Sequence, residues 1–334
     1  MRRSSAFLLS IFVLISMLFM LCHAGCQKEN QAEDHPLPEA AKPTQASIFV
    51  AEQEFYALIA DRQAVNQNNN NHVTGRIVSG VLPHHLVAGR LIADFMEVVA
   101  GQEPELVVLI GPNHNLRGGK LISGLYAWQT PAGLVEVAED IVRDLFAREI
   151  VVRDEETIGQ EHSVGTLMPF IRHYLPQAKV VPVIVQGNVS LTEIEKLLEA
   201  LEPYLDEYGE KAVLLASVDF SHYLTRTEAQ LKDQETLAVM RRFDYLTLFR
   251  MGDDHLDSPA SLAAAFRWAE KNGIKEFRLL ANTNSGIIMK NDVMETTSYF
   301  TLFFTLENKP TSLSCGAVSG TAYRLRPGSA AGQG

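Results

Sequence analysis

Leu106-Val-Val-Leu-Ile-Gly-Pro-Asn-His-Asn115 is a run of five aliphatic residues closed by a Gly-Pro-Asn turn and a histidine. A continuous apolar run bounded by turn residues suits a strand covered on both faces, as in a parallel sheet. Gly111 and Pro112 set the turn, and His114 emerges at its rim. The arrangement recurs twice. Residues 77–82 lead into Pro83-His84-His85, and Ala212–Ser217 leads into Val218-Asp219-Phe-Ser-His222-Tyr223. A fourth histidine, His162 in Glu161-His-Ser163, precedes an amphipathic stretch. Ligands of open α/β sheets bind beyond the carboxyl ends of the strands. Loops that each carry a histidine there would converge on one pocket. Imidazole is the commonest metal ligand and is suited to proton transfer near neutral pH. The pattern predicts a polar, metal-binding pocket.

Outward from these strands, helical and extended stretches alternate. Strands are expected at 77–82, 106–111, 150–153, 179–185, 212–218, 277–281 and 296–306, with a hairpin arm at 121–128. Helices are expected at 48–60, 86–99, 135–146, 164–174, 191–204, 227–242 and 258–271. The alternation predicts a single α/β domain over residues 48–306, its mostly parallel or mixed central sheet flanked by helices. Residues 26–47, rich in Pro, Glu, Ala and Lys, read as a flexible tether, and residues 307–334 as a disordered tail.

The first 25 residues read as a signal peptide. Arg2 and Arg3 precede an apolar run from Ala6 to Leu21, and Ala24-Gly25-Cys26 resembles a lipobox in which Cys26 is lipidated. His23 departs from the residues usual there. The expectation is an exported protein, tethered to the bacterial cell envelope through its N-terminus and with no other membrane contact. The chain has 334 residues, a net charge of −11 and no basic stripe, which argues against a nucleic-acid partner. Of its 3 cysteines only Cys26 and Cys315 would survive export, and neither lies near a histidine motif. A thiolate nucleophile or Cys-rich zinc site is thereby excluded. No Gly-x-Ser-x-Gly elbow accompanies Ser163, Ser217 or Ser221, so a serine hydrolase is disfavoured.

Within the motifs, Ser163 could cap a helix with Glu161 near its positive end. Alternatively Glu161 orients a histidine or accepts a proton. Asp219 and His222 pair a carboxylate with an imidazole just past a buried strand, an arrangement that raises imidazole basicity and fixes its tautomer.

With these pieces assembled, the chain resembles the Memo-like family, called AmmeMemoRadiSam system protein B in prokaryotes. The resemblance spans roughly residues 73–306. It rests on Pro83-His84, Gly111-Pro-Asn-His114, Glu161-His-Ser163 with Leu167-Met-Pro-Phe170, Val181-Pro-Val183, and Ser217-Val-Asp-Phe-Ser-His-Tyr223, in that order. It implies a fold like that of the class III extradiol dioxygenases, with His84 and His114 as metal ligands. The family's third ligand is a Cys four residues before a helix-opening Pro. Counting back from Pro259 lands on His255, with Asp254 and Asp257 as rivals. Two His and a carboxylate would match the facial triad of non-haem iron enzymes, so a divalent metal is expected, iron first and copper or zinc as alternatives. The family's Pro-His-Ala-Gly is Pro83-His84-His85-Leu86 here, leaving His85 as an extra polar group. The expected function is an iron-dependent redox enzyme of unknown substrate, with His222, Asp219, Glu161 and His162 as its catalytic groups. The competing reading is a non-catalytic module that holds a small molecule or peptide in the same pocket.

Overall fold

The computed structural model describes residues 43–65, 73 and 75–307. Cys26, the expected signal peptide and the C-terminal tail lie outside the described residues. Among the described residues no helix is long and apolar enough to cross a membrane.

In chain order the elements are β1 (Thr44–Ala46), α1 (Glu52–Val65), β2 (Arg76–Leu82), α2 (Gly89–Ala100), β3 (Leu106–Pro112), β4 (Leu121–Ser123), β5 (Ala127–Thr130), β6 (Gly133–Val135), α3 (Glu139–Ala147) and β7 (Val152–Arg153). Then follow α4 (Glu155–Gly159), α5 (His162–Gly165), α6 (Met168–Tyr174), β8 (Lys179–Val185), α7 (Leu191–Tyr208), β9 (Ala212–Ser217), β10 (Phe220–Leu224) and α8 (Arg226–Arg241). The chain closes with α9 (Tyr245–Leu248), α10 (Pro259–Lys271), β11 (Arg278–Asn284), α11 (Ser285–Ile288) and β12 (Thr296–Leu306).

The main sheet has the order β10-β12-β2-β9-β3-β8-β4-β7, with β11 also on β12. Strands β2, β9, β3 and β8 are parallel, whereas β12 runs antiparallel to β2 and β4 antiparallel to β8. The sheet is therefore mixed around a parallel centre, the expected α/β class. Both faces are covered, which is why the central strands are mostly apolar. Leu106, Val108 and Ile110 share a core with Leu262 and Phe266 of α10, and Val107 and Leu109 share the opposite one with Phe95 of α2 and Phe170 of α6. The period-2 alternation of a strand sends successive side chains into different cores.

Several boundaries differ from the sequence reading. Thr44–Ala46, in the last residues of the expected tether, pairs in parallel with β5, so the folded part begins before residue 48. The expected hairpin arm splits: Leu121–Ser123 joins the main sheet, while Ala127–Thr130 forms a small second sheet with β1 and β6. The helix expected at 164–174 is two helices, because Pro169 can enter only in the first turn of a new one. Phe220–Leu224, read as a loop, is a bulged strand on β12. Its bulge leaves Tyr223 at φ 60°, a strained left-handed conformation for a non-glycine residue.

Candidate metal centre

Three neighbouring strands, in the order β2–β9–β3, end side by side. The residues just beyond them are His84, Asp219 and His114. Helix α5 lies across these ends and brings His162 to the same place. Ser163 Oγ donates to the Pro112 carbonyl at 2.6 Å, and Ser217 Oγ donates to the Ser163 carbonyl at 2.6 Å. Gly111 permits this close approach, since a Cβ there would lie 2.7 Å from Ser163 Oγ. The small residue at the end of β3 is thus a packing requirement as much as a turn signal.

His84, His114 and His162 present ring nitrogens that all lie within 4.8 Å of one another. The rings of His114 and His162 stack with centroids 4.2 Å apart, and both lie edge-on to His84 at 5.3 and 5.2 Å. Buried hydrogen bonds orient two of them. Ser217 spends its proton on Ser163, so at 2.9 Å it accepts from His84 Nδ1–H. That leaves His84 Nε2 without a proton, facing the cluster. His114 Nδ1 donates to Glu161 Oε1 at 2.8 Å, and its backbone N–H donates to Oε2 at 2.8 Å. His162 Nδ1 lies 3.2 Å from Glu161 Oε1. Glu161 is fully buried and caps α5 by accepting from Ser163 N–H at 3.0 Å. It, not Ser163, is the N-cap. A carboxylate bonded to the far nitrogen of a ligating imidazole fixes ring orientation and raises basicity.

A carboxylate stands beside two of the three rings. Asp257 Oδ2 lies 3.4 Å from His84 Nε2 and 3.6 Å from His114 Nε2. Two backbone contacts with Asp219 seat it: Asp257 N–H donates to the Asp219 carbonyl at 3.1 Å, and Asp219 N–H donates to Asp257 Oδ2 at 3.2 Å. Donors held about 2.1 Å from one ion at tetrahedral angles stand about 3.4 Å apart. The separations of Asp257 from His84 and His114 are close to that spacing. Asp257 Oδ1 is buried with no hydrogen-bond partner among the described residues, an expense that a cation would relieve.

His255 is not part of this group, which corrects the assignment made by counting back from Pro259. Its Nδ1 meets Asp254 Oδ1 and its Nε2 meets Glu235 Oε2, each at 2.9 Å. Its carbonyl accepts from Ser221 N–H, tying the segment to β10. The chain turns between residues 252 and 257, so Asp257, two positions later, reaches the cluster instead. Asp254 likewise faces Lys232, at 3.0 Å. His162, assigned to the catalytic groups, stands geometrically in the ligand position assigned to His255.

Asp219 flanks His84: its Oδ1 accepts His84 N–H at 3.1 Å and its Oδ2 is 3.6 Å from His84 Nε2. Burial raises its carboxyl pKa, and the charge of the nearby His222 opposes that rise. His222 Nδ1 is buried without a partner among the described residues. Burial drives the His84 pKa down to about 3, against the pull of Asp257. For His114 burial acts in the same sense, but hydrogen bonds to Asp257 and Glu161 outweigh it and push the pKa up to about 10. Burial would raise Glu161, yet hydrogen bonds from His114, His162 and Ser163 N–H hold it well below the usual carboxylate range. The metal-free site therefore stores one proton on His114 between two carboxylates.

Fold and site together define a Pro-His and Gly-Pro-Asn-His α/β protein with a histidine cluster able to hold a metal ion. A family model described as Memo-like protein matches residues 52–302, and the chain belongs to that family. It is 30% identical over 220 residues to a MEMO1 family protein of Pyrobaculum aerophilum, covering 64% of this chain and 78% of that one. A MEMO1 family protein of Aeropyrum pernix is 31% identical over 220 residues, covering 63% and 77%. One of Methanosarcina acetivorans is 28% identical over 219 residues, covering 63% and 79%.

Proposed function

We propose that this Memo-family chain binds one divalent metal, iron in the first instance, and uses a dioxygenase-like pocket for redox chemistry on a small substrate at the cell envelope. The observation that carries this reading is the convergence of three imidazoles, two of them beside a carboxylate whose second oxygen has no partner among the described residues. Nitrogen and oxygen donors without thiolate suit iron or zinc better than Cu(I). A bound metal would supply Lewis-acid or one-electron chemistry. The protein's own part is separable from it. Ser217 and Glu161 hold His84 and His114 in one tautomer, while Asp257 offers charge. Asp219 and His222, whose Nδ1 has no partner among the described residues, provide a place beside the cluster to hold or pass a proton. Metal analysis of the purified chain, combined with metal-dependent oxygen consumption, tests the reading. A metal-free protein that binds a ligand unchanged would favour the non-catalytic module.

The stored proton gives a pH prediction. His114 is protonated below about 10, and a metal ligand must be deprotonated, so each ion bound at neutral pH should release one proton. His84, driven down to about 3, releases none. The apparent affinity should rise about tenfold per pH unit between roughly pH 6 and 9. Calorimetric titration in two buffers of different ionisation enthalpy reads the proton count. A pH-independent affinity would contradict the assignment of His114.

For the envelope location, the supporting feature is the basic, apolar and Ala-Gly-Cys succession ending at Cys26. Cys26→Ser should block processing or release the protein from membranes. Retention with an intact N-terminus would indicate an uncleaved helical anchor instead.

A further inference from the structure

His85 stands where the family pattern quoted above has a small residue, and its surroundings are organised. Its Nδ1 lies 2.7 Å from the hydroxyl of Tyr299, a fully buried residue of β12. Ser285 hydrogen bonds the same hydroxyl. The Ser285 oxygen itself accepts Thr297 N–H at 3.0 Å, so its one proton is free to go to Tyr299. Ser285 opens α11, whose start is fixed by the Asn284 side chain accepting Ile287 N–H at 2.9 Å. Helix α11 packs against the Leu86–Ala88 turn that follows His85. With the Ser285 proton given to the Tyr299 oxygen, the Tyr299 O–H goes to His85 Nδ1. A neutral imidazole that accepts at Nδ1 carries its proton on Nε2. His85 is exposed and lies within electrostatic reach of Asp219, His222 and His162, beside the metal cluster.

We infer that His85, held by Tyr299 and Ser285, is a ligand-recognition residue whose Nε2–H donates to an oxygen acceptor, a carboxylate in the simplest case, of a small molecule bound next to the metal. This rests on the metal reading above. The chemistry recognised is an oxygen anion with one atom available to the metal and another to His85. A buried tyrosine serves the purpose well, because its packed ring fixes the hydroxyl and its proton has few other destinations.

Two readouts on the full chain test it. Nitrogen-resolved NMR of the histidine rings, without metal, should find His85 protonated at Nε2 and bare at Nδ1, with the preference lost in Tyr299→Phe. A His85 ring protonated at Nδ1 overturns the proposal. Cobalt(II) is then titrated alone, followed by benzoate, with the visible spectrum of the metal as signal. Benzoate should bind about 10-fold or more weakly to His85→Ala, the usual size of a lost hydrogen bond to a charged group. Partial recovery is expected in His85→Gln, which restores a donor. Unchanged benzoate affinity in cobalt-loaded His85→Ala overturns the recognition role while leaving the metal site standing. Failure of cobalt itself to bind overturns the metal reading, and ligand recognition beside a metal falls with it.

Discussion

His162→Ala should strip the protein of its metal, whereas His255→Ala should leave the metal affinity unchanged. The contrast follows from the geometry. His162 stacks on His114 at 4.2 Å and shares Glu161 with it, while both nitrogens of His255 are taken by Asp254 and Glu235. Losing a partner one step removed from a metal costs about 10–100-fold in affinity, so losing a ligand should cost about 100-fold or more. His255→Ala should instead lower stability by ~1–2 kcal/mol, the ordinary cost of a disrupted polar contact. Equilibrium metal titration with thermal unfolding of both variants separates the two effects. A His255 variant that loses the metal while the His162 variant keeps it would reverse the assignment.

Glu161→Ala should be the most damaging single change to the fold near the site. The carboxylate is fully buried and accepts from His114 Nδ1, His114 N–H and Ser163 N–H. Its removal leaves two backbone donors and an imidazolium without their acceptor. Breaking a buried charge pair by deleting one partner costs about 3–5 kcal/mol. In a domain of this size that lowers the melting temperature by on the order of 10 °C. The sign with pH is definite. A carboxyl depressed below its unfolded value contributes stability at neutral pH and loses it only as the pH falls through the low folded value. Metal affinity should fall about 10–100-fold as well, since both His114 and His162 lose their orientation. Calorimetric unfolding that shows less than about 1 kcal/mol of destabilisation would contradict this role.

The parallel centre of the sheet was legible because both of its faces are buried, which makes residues 106–110 and 180–185 apolar runs and leaves 77–82 interrupted only by Ser79 and Gly80. The rule that ligands gather beyond strand ends then placed His84 and His114 in one pocket. Strand β10 was illegible for the opposite reason. Asp219-Phe-Ser-His-Tyr223 is a short polar segment distorted by bulges, and pairing with the distant β12 makes it extended. The ligand opposite His84 was misplaced because counting along the chain assumes a fixed path. The turn before Ser258 instead directs His255 toward α8 and Asp257 toward the cluster. Ser217, which sets the His84 tautomer, was visible in the motif but weighed only as a nucleophile. Its role depends on Ser163, 54 positions earlier, and no local pattern carries that pairing. Tyr299 was hidden in the same way, reaching His85 from 214 positions away.

His84, His114 and His162 should hold one metal ion with Asp257. X-ray absorption fine structure of the metal-loaded chain tests it most directly. The expected spectrum shows outer-shell scattering from three imidazole rings, an oxygen donor and no sulfur, with one ring lost in His162→Ala. Scattering from one ring or none, or a sulfur shell, would contradict it.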